Sequence, residues 1–307
     1  MRSTFPSKSS NVRVIGVVCF AILAASVWDL NRLSASPIFV RDDLGRKIVL
    51  PCRPQRIVSL EPSVTEELYA VGAGGKLVAD DYYADFPAQA KYMPHVNGML
   101  PSREMIVGLH PDLIVLFDQT FTAYKADQWS QQYGVPVYVT NAGTYVGVEH
   151  DIANIGGLLG TATDTMRTIS VMNHTLQAVR KAVAHKSRPK VFVTIWDKPL
   201  MTAGSGTFMN DLIDIAGGVN VAAVRVTGYP AYSPEQLVAD DPDIIISGTT
   251  GTAILRKSDP GLSMLTLRAD RYNRTWAIPD DWTARPGPRL ALGLSAMARI
   301  LHPDAFR

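Results

Sequence analysis

The chain has 307 residues, 47% of them hydrophobic and 19% charged, with a formal net charge of +2. That length admits two modest units, since a single core rarely grows past about 250–300 residues, and the composition excludes a disordered or collagen-like chain. Two cysteines are too few for a disulfide-rich scaffold or a multi-cysteine redox cluster.

In chain order, Arg2, Lys8 and Arg13 precede an apolar run from Val14 to Trp28, and the small residues Ser34, Ala35 and Ser36 stand before Pro37. A basic start, an apolar middle and a small-residue end predict a secretory signal over residues 1–36 and a periplasmic location. The run is shorter than the about 20 apolar residues that span a bilayer, and an uncleaved inner-membrane anchor is the alternative. Cys19 follows Val17 and Val18 within the run, a poor lipid-attachment site, so no lipoprotein is expected. Residues 1–36 carry four basic residues against one acid, which leaves the remainder at about −1. No nucleic-acid footprint remains. Beyond residue 36 only Cys52 is left, so no internal disulfide is expected.

Two stretches recur in the same order. Ala73-Gly74-Gly75-Lys76-Leu77-Val78-Ala79 leads to Ser102 through Val107 and then to Pro111-Asp112-Leu113-Ile114-Val115. Ala216-Gly217-Gly218-Val219-Asn220-Val221-Ala222 leads to Ser233 through Val238 and then to Pro242-Asp243-Ile244-Ile245-Ile246. The paired glycines predict helix ends, because glycine adopts the left-handed conformation cheaply. Ser102 and Ser233 are predicted N-caps with Glu104 and Glu235 in the first turn, and each Pro-Asp stops its helix before a β-branched buried strand. Each half also opens with a strand, Arg56 to Leu60 or Lys190 to Ile195. The first runs through Pro62 into an expected capping box at Ser63-Val64-Thr65-Glu66; the second leads to a helix from Phe208 to Ile215.

Alternating strands and helices predict α/β architecture: two Rossmann-like lobes with parallel sheets. Between them the segment from Asp164 to about Lys186 has no Gly or Pro, and its apolar residues, including Met166, Ile169, Met172, Leu176, Val179 and Val183, recur at spacings of three and four. That predicts one linker helix of roughly 22 residues and only a small hinge motion. The expected organisation is an N-terminal lobe over 50–163, the linker over 164–187 and a C-terminal lobe over 188–307. The last helix, from Pro288 to about Leu301, packs back on the second lobe.

This order of motifs resembles the helical-backbone (class III) periplasmic binding proteins, which serve ATP-driven importers of vitamin B12, iron-siderophores and haem. The resemblance runs from about Arg56 to Leu301. It rests on Arg56 to Leu60 with Pro62 and Thr65-Glu66, on Tyr82 to Pro87, and on Glu104 to Val115. It continues through Thr202 to Gly204, Glu235 to Ile246, and Asp281-Trp282 with Arg285, Pro288 and Arg289. Vitamin B12-binding members are the most similar. The resemblance implies a corrinoid cargo, no cofactor, and contacts from Tyr82, Met201, Tyr229, Asp281 and Trp282, with Tyr83 and Arg285 in the same loops. Such loops follow parallel strands and face the crevice where ligands bind, and flat aromatics suit a macrocycle. Asn97-Gly98-Met99 stands where those members carry a tryptophan, and Met201 and Tyr229 stand for their Phe and Trp. One acid on each lobe, Glu104 and Glu235, is implied to dock on an ABC permease. The protein is expected to be a monomer.

Arg225, Arg256 and Arg285 keep a ferric siderophore or haem open as the ligand. A membrane-anchored sensor or assembly factor without transport is the reading from another class. An enzyme is not expected: no His-Glu-x-x-His and no Gly-x-Ser-x-Gly occurs, and Gly72-Ala73-Gly74-Gly75-Lys76 lacks the spacing of a phosphate loop. The six histidines show no metal-ligand spacing, so no metal site is expected.

Overall fold

The computed structural model describes residues 37–196, 198–248 and 267–306. The expected signal or anchor over 1–36 and the candidate Arg256 lie outside these described residues.

A hairpin of β1 (Ile38–Arg41) and β2 (Lys47–Leu50) comes first. Ile48 and Leu50 face inward and join the main core, and the Asp43 amide donates to the Val139 carbonyl at 3.1 Å. The hairpin thus packs on the first lobe ahead of residue 50, the expected start of that lobe.

The first sheet is wholly parallel. It contains β3 (Ile57–Ser59), β4 (Leu77–Asp81), β5 (His95–Val96), β6 (Leu113–Phe117) and β7 (Val137–Thr140), in the order β5-β4-β3-β6-β7. Near-continuous burial of its strands reflects helices on both faces. These are α1 (Pro62–Ala70), α2 (Arg103–Gly108), α3 (Ala123–Tyr133) and α4 (Tyr145–Leu159). The second sheet has β8 (Lys190–Trp196) near its middle, flanked by β10 (Val219–Asn220) and β11 (Ile244–Ser247), with β12 (Thr275–Ala277) beyond β11. These strands run parallel, while the short β9 (Met201–Thr202) adds antiparallel to β8. In each lobe the opening strand has neighbours on both sides, so each sheet has a switch point, between β3 and β6 and between β8 and β11.

The repeat appears as matched local structure. The Ser102 hydroxyl accepts from the Met105 amide to start α2, and the Ser233 hydroxyl accepts from the Gln236 amide to start α7 (Pro234–Asp240). The left-handed residue ending α1 is Gly72 (φ 76°) rather than the Gly74-Gly75 pair, which forms a 3₁₀ turn with Lys76. In the second lobe Gly217 (φ 81°) ends α6 (Phe208–Ile215). The capping box at Ser63–Glu66 does not form. Pro62, whose fixed φ suits the first helical position, starts α1 with Glu61 as N-cap, so Ser63 and Glu66 already lie inside the helix.

The linker is α5 (Ala162–Val183), as long as its apolar spacing predicts. Met172, Leu176, Val179 and Val183 are buried along one face, while Met166 is exposed. Its core-facing side packs on α4 and on α10 (Leu290–Leu301). The short α8 (Arg268–Arg271) and α9 (Asp280–Thr283) flank β12. Among the described residues no helix is long and apolar enough to cross a membrane.

Candidate ligand cleft

The carboxyl ends of the strands in both lobes open on one cleft of about 790 Å³. That position is where open α/β sheets bind ligands, and the size falls within the range of about 300–1,000 Å³ typical of ligand sites. Its floor is the switch point of the first sheet: Leu60, Glu61 and Pro62 after β3, and Leu116, Phe117 and Asp118 at the end of β6.

Tyr82 and Tyr83 rise from the loop after β4, with Tyr83 77% exposed. Asp81 fixes that loop. Its two carboxylate oxygens accept from the amides of Tyr83 and Gly98, each at 2.9 Å. Gly98 has no room for a side chain, since a Cβ there would lie 2.2 Å from the Leu60 carbonyl oxygen. The segment after β5 is thereby held against the end of β3, and Met99 reaches the cleft. On the adjoining wall α3 contributes Lys125 and Trp129. The Lys125 ammonium sits 4.5 Å from the Phe121 ring centre and 5.4 Å from that of Trp129.

The second lobe supplies Trp196 at the end of β8, together with Asp280, Asp281, Ala284 and Arg285. Trp196 is 62% exposed, and its indole N–H donates to the Lys198 carbonyl at 3.0 Å. Arg285 crosses to the first lobe. It pairs with Glu66 at 3.2 Å and Asp85 at 2.6 Å, and with Asp281 of its own lobe at 3.2 Å. Arg289 joins the same cluster, 2.6 Å from Glu66, with its guanidinium stacked on the Phe86 ring. Glu66 is 3% exposed, and its two charge partners, Arg285 and Arg289, both come from the other end of the chain.

Among the described residues the cleft is acidic. Glu61, Asp81, Asp118, Asp280 and Asp281 face Lys125 and an Arg285 already engaged by three carboxylates. Burial, then the like charge of Asp81, lifts Glu61 to about 7. Beside the cleft, burial lifts Asp80 to about 6 against the lowering contact with His95 at 2.7 Å. Burial would also raise Asp85, but the hydrogen bond from Arg285 and its charge outweigh this and hold Asp85 below the usual carboxylate range.

Of the predicted ligand residues, Tyr82, Tyr83, Asp281 and Arg285 line the cleft, and Met201, Tyr229 and Trp282 do not. Tyr229 packs on Phe208 with ring centres 6.2 Å apart, and burial pushes its hydroxyl pKa up. Trp282 packs against the main core, and Met201 lies on the strand that edges β8. Of the arginines, Arg225 is held by Asp240 at 2.6 Å. Glu104 and Glu235 are both exposed, at the second position of the matched helices α2 and α7. Sequence reasoning missed Glu61, Trp129 and Trp196. An aromatic ending a parallel strand is the signal that marks Trp196; Trp129 lies within a helix, three-dimensionally close but unmarked in the sequence.

Residues 57–262 match the profile of a periplasmic binding protein family. An uncharacterised ABC transporter substrate-binding lipoprotein of Bacillus subtilis is 28% identical over 280 residues, covering 88% of this chain and 87% of its own. The crystal structure of the periplasmic vitamin B12 binding protein of Vibrio cholerae superposes with a TM-score of 0.72 at 26% identity, over 83% of this chain and 99% of that one. A periplasmic haem binding protein of Pseudomonas aeruginosa gives 0.70 at 26% identity, over 82% and 94%.

Proposed function

The chain belongs to the periplasmic binding protein family, and from that premise we propose that it captures a corrinoid between its lobes and delivers it to the permease of an ATP-driven importer. The observation that carries the ligand class is the cleft itself. It pairs flat apolar surfaces, Tyr82, Tyr83 and Trp196, with a surplus of carboxylates. A corrin ring offers a large face to the aromatics and peripheral amide N–H groups to the acids. The relative from Vibrio cholerae, a vitamin B12 binding protein, supports the same reading.

Haem is the second reading, supported by the likeness to the Pseudomonas aeruginosa haem binding protein at the same identity. The electrostatics count against it and against an anionic ferric siderophore. Arg225 and Arg285, the described arginines that would receive an acidic ligand, already have carboxylate partners. Titration of the purified protein with cyanocobalamin, haem and ferric siderophores decides among them. Saturable binding of cyanocobalamin at micromolar protein is expected, and its failure to bind retires the corrinoid assignment.

Docking is proposed to use Glu104 and Glu235, the exposed carboxylates on repeat-related helices. Acids placed equivalently on two similar lobes fit a permease of two-fold symmetry. A monomer in the periplasm, with residues 1–36 as the export signal, completes the proposal.

A further inference from the structure

Glu61 differs from the other acids of the cleft. Its backbone is extended (φ −152°, ψ 137°) and caps α1, yet its side chain makes no cap hydrogen bond. A shorter Asp, Asn or Ser would turn back on the helix amides; the longer Glu side chain lines the cleft instead. The neighbouring carboxylates each have a partner. Asp81 accepts the Tyr83 and Gly98 amides, Asp118 accepts the Thr120 amide and hydroxyl at 2.7 Å, and Asp281 pairs with Arg285 and Arg289. Asp280 also has a partner. Only the backbone carbonyl of Glu61 accepts hydrogen bonds among the described residues, from Ser59 and Thr65. Around its carboxyl group stand Asp81 of β4, Asp118 after β6 and Arg285 before α10, with Lys125 of α3 and the two acids of α9 on the remaining walls.

We propose that Glu61 is the specificity-determining residue of the cleft: its carboxyl group is the unfilled acceptor for an amide or cationic group on the ligand, and it disfavours a ligand that places a carboxylate there. The inference rests on the cleft's being the ligand site and holds for whichever macrocycle occupies it. Burial and the charge of Asp81, with a smaller push from Asp118, lift Glu61 to about 7 against the lowering effect of Arg285, so the free protein near neutrality shares one proton at this position. A ligand N–H favours the ionised form and releases that proton, whereas a ligand carboxylate keeps it. The two ligand chemistries therefore give opposite pH responses. An amide-bearing ligand binds more tightly as the pH rises through 7, and a carboxylate-bearing one more weakly.

The test is a binding titration of the full chain with cyanocobalamin (peripheral amides) and haem (two carboxylates) at pH values from 6 to 8, in wild type, Glu61→Gln and Asp118→Asn. Cyanocobalamin is expected to bind about five- to tenfold more tightly at pH 8 than at pH 6, and Glu61→Gln to remove that difference. Asp118→Asn, which takes away a like charge, is expected to keep the rise with its midpoint at lower pH. Should Glu61→Gln fail to fold, that midpoint decides: a downward shift supports the proposal and an unmoved midpoint overturns it. A pH response that persists unchanged in a folded Glu61→Gln overturns the role of Glu61 while leaving the corrinoid reading intact. If cyanocobalamin does not bind the wild type, the corrinoid reading is lost and the haem arm tests Glu61 by itself. There, affinity falling with pH in the wild type and flat in Glu61→Gln supports the role, and an unchanged fall overturns it. Binding of neither macrocycle overturns both.

Discussion

Asp151 on α4 is 3% exposed and meets Asp43. Burial, and then the hydrogen bond and charge of Asp43, raise its pKa to about 9, and burial moves Glu67 nearby in the same direction. An unfolded aspartate titrates near about 3.9. Between those values the folded chain holds a proton that the unfolded chain has released. This contribution is intact below about pH 4 and is lost as the pH rises toward 9, with a slope of at most about 1.4 kcal/mol per pH unit for one proton. Asp151→Asn cannot ionise and removes the effect. Urea midpoints measured at pH 6 and pH 9 are expected to fall more steeply for the wild type than for the variant; parallel falls would show that Asp151 is not the group responsible.

Among the elements, the junction of α4 with α5 is a close one. Gly156 faces Thr165 so closely that a Cβ would lie 1.9 Å from its hydroxyl and 2.6 Å from its methyl group. Gly156→Ala must push the linker helix away from α4, at a cost of about 1–3 kcal/mol typical of overpacking. Chemical denaturation is the check, and an unchanged midpoint would mean that the two helices separate freely. Neither side of this contact is marked in the sequence, because Gly156 sits in an ordinary apolar helix and Thr165 in the polar start of α5. The sheets and the linker were legible because each rests on a local pattern: β-branched runs after Pro-Asp, serine caps, and apolar spacing of three and four without Gly or Pro. The same local logic failed at Ser63–Glu66, where Pro62 takes the first helical position. Tyr229 and Trp282, which read as loop aromatics, pack on Phe208 and the main core. Glu61 and Trp196 required knowing which strand ends face the cleft.

For the molecule as a whole, the duplicated lobes present Glu104 and Glu235 at matched places on one framework. The double variant Glu104→Ala, Glu235→Ala removes two exposed carboxylates that take no part in the core. Ligand binding by the isolated protein is expected to be unchanged, while uptake by cells that depend on this importer falls at least about tenfold. Normal uptake with that variant would remove the docking role.

The cluster around Glu66 also sets an order of events during synthesis. Glu66 is buried in the first helix after the hairpin, but Arg285 and Arg289, which neutralise it, lie more than two hundred residues later. Until those arginines arrive Glu66 has neither charge partner, and removing one partner from a buried ion pair costs about 3–5 kcal/mol. The amino-terminal half therefore acquires these ion pairs only after almost the last segment of the chain has been made.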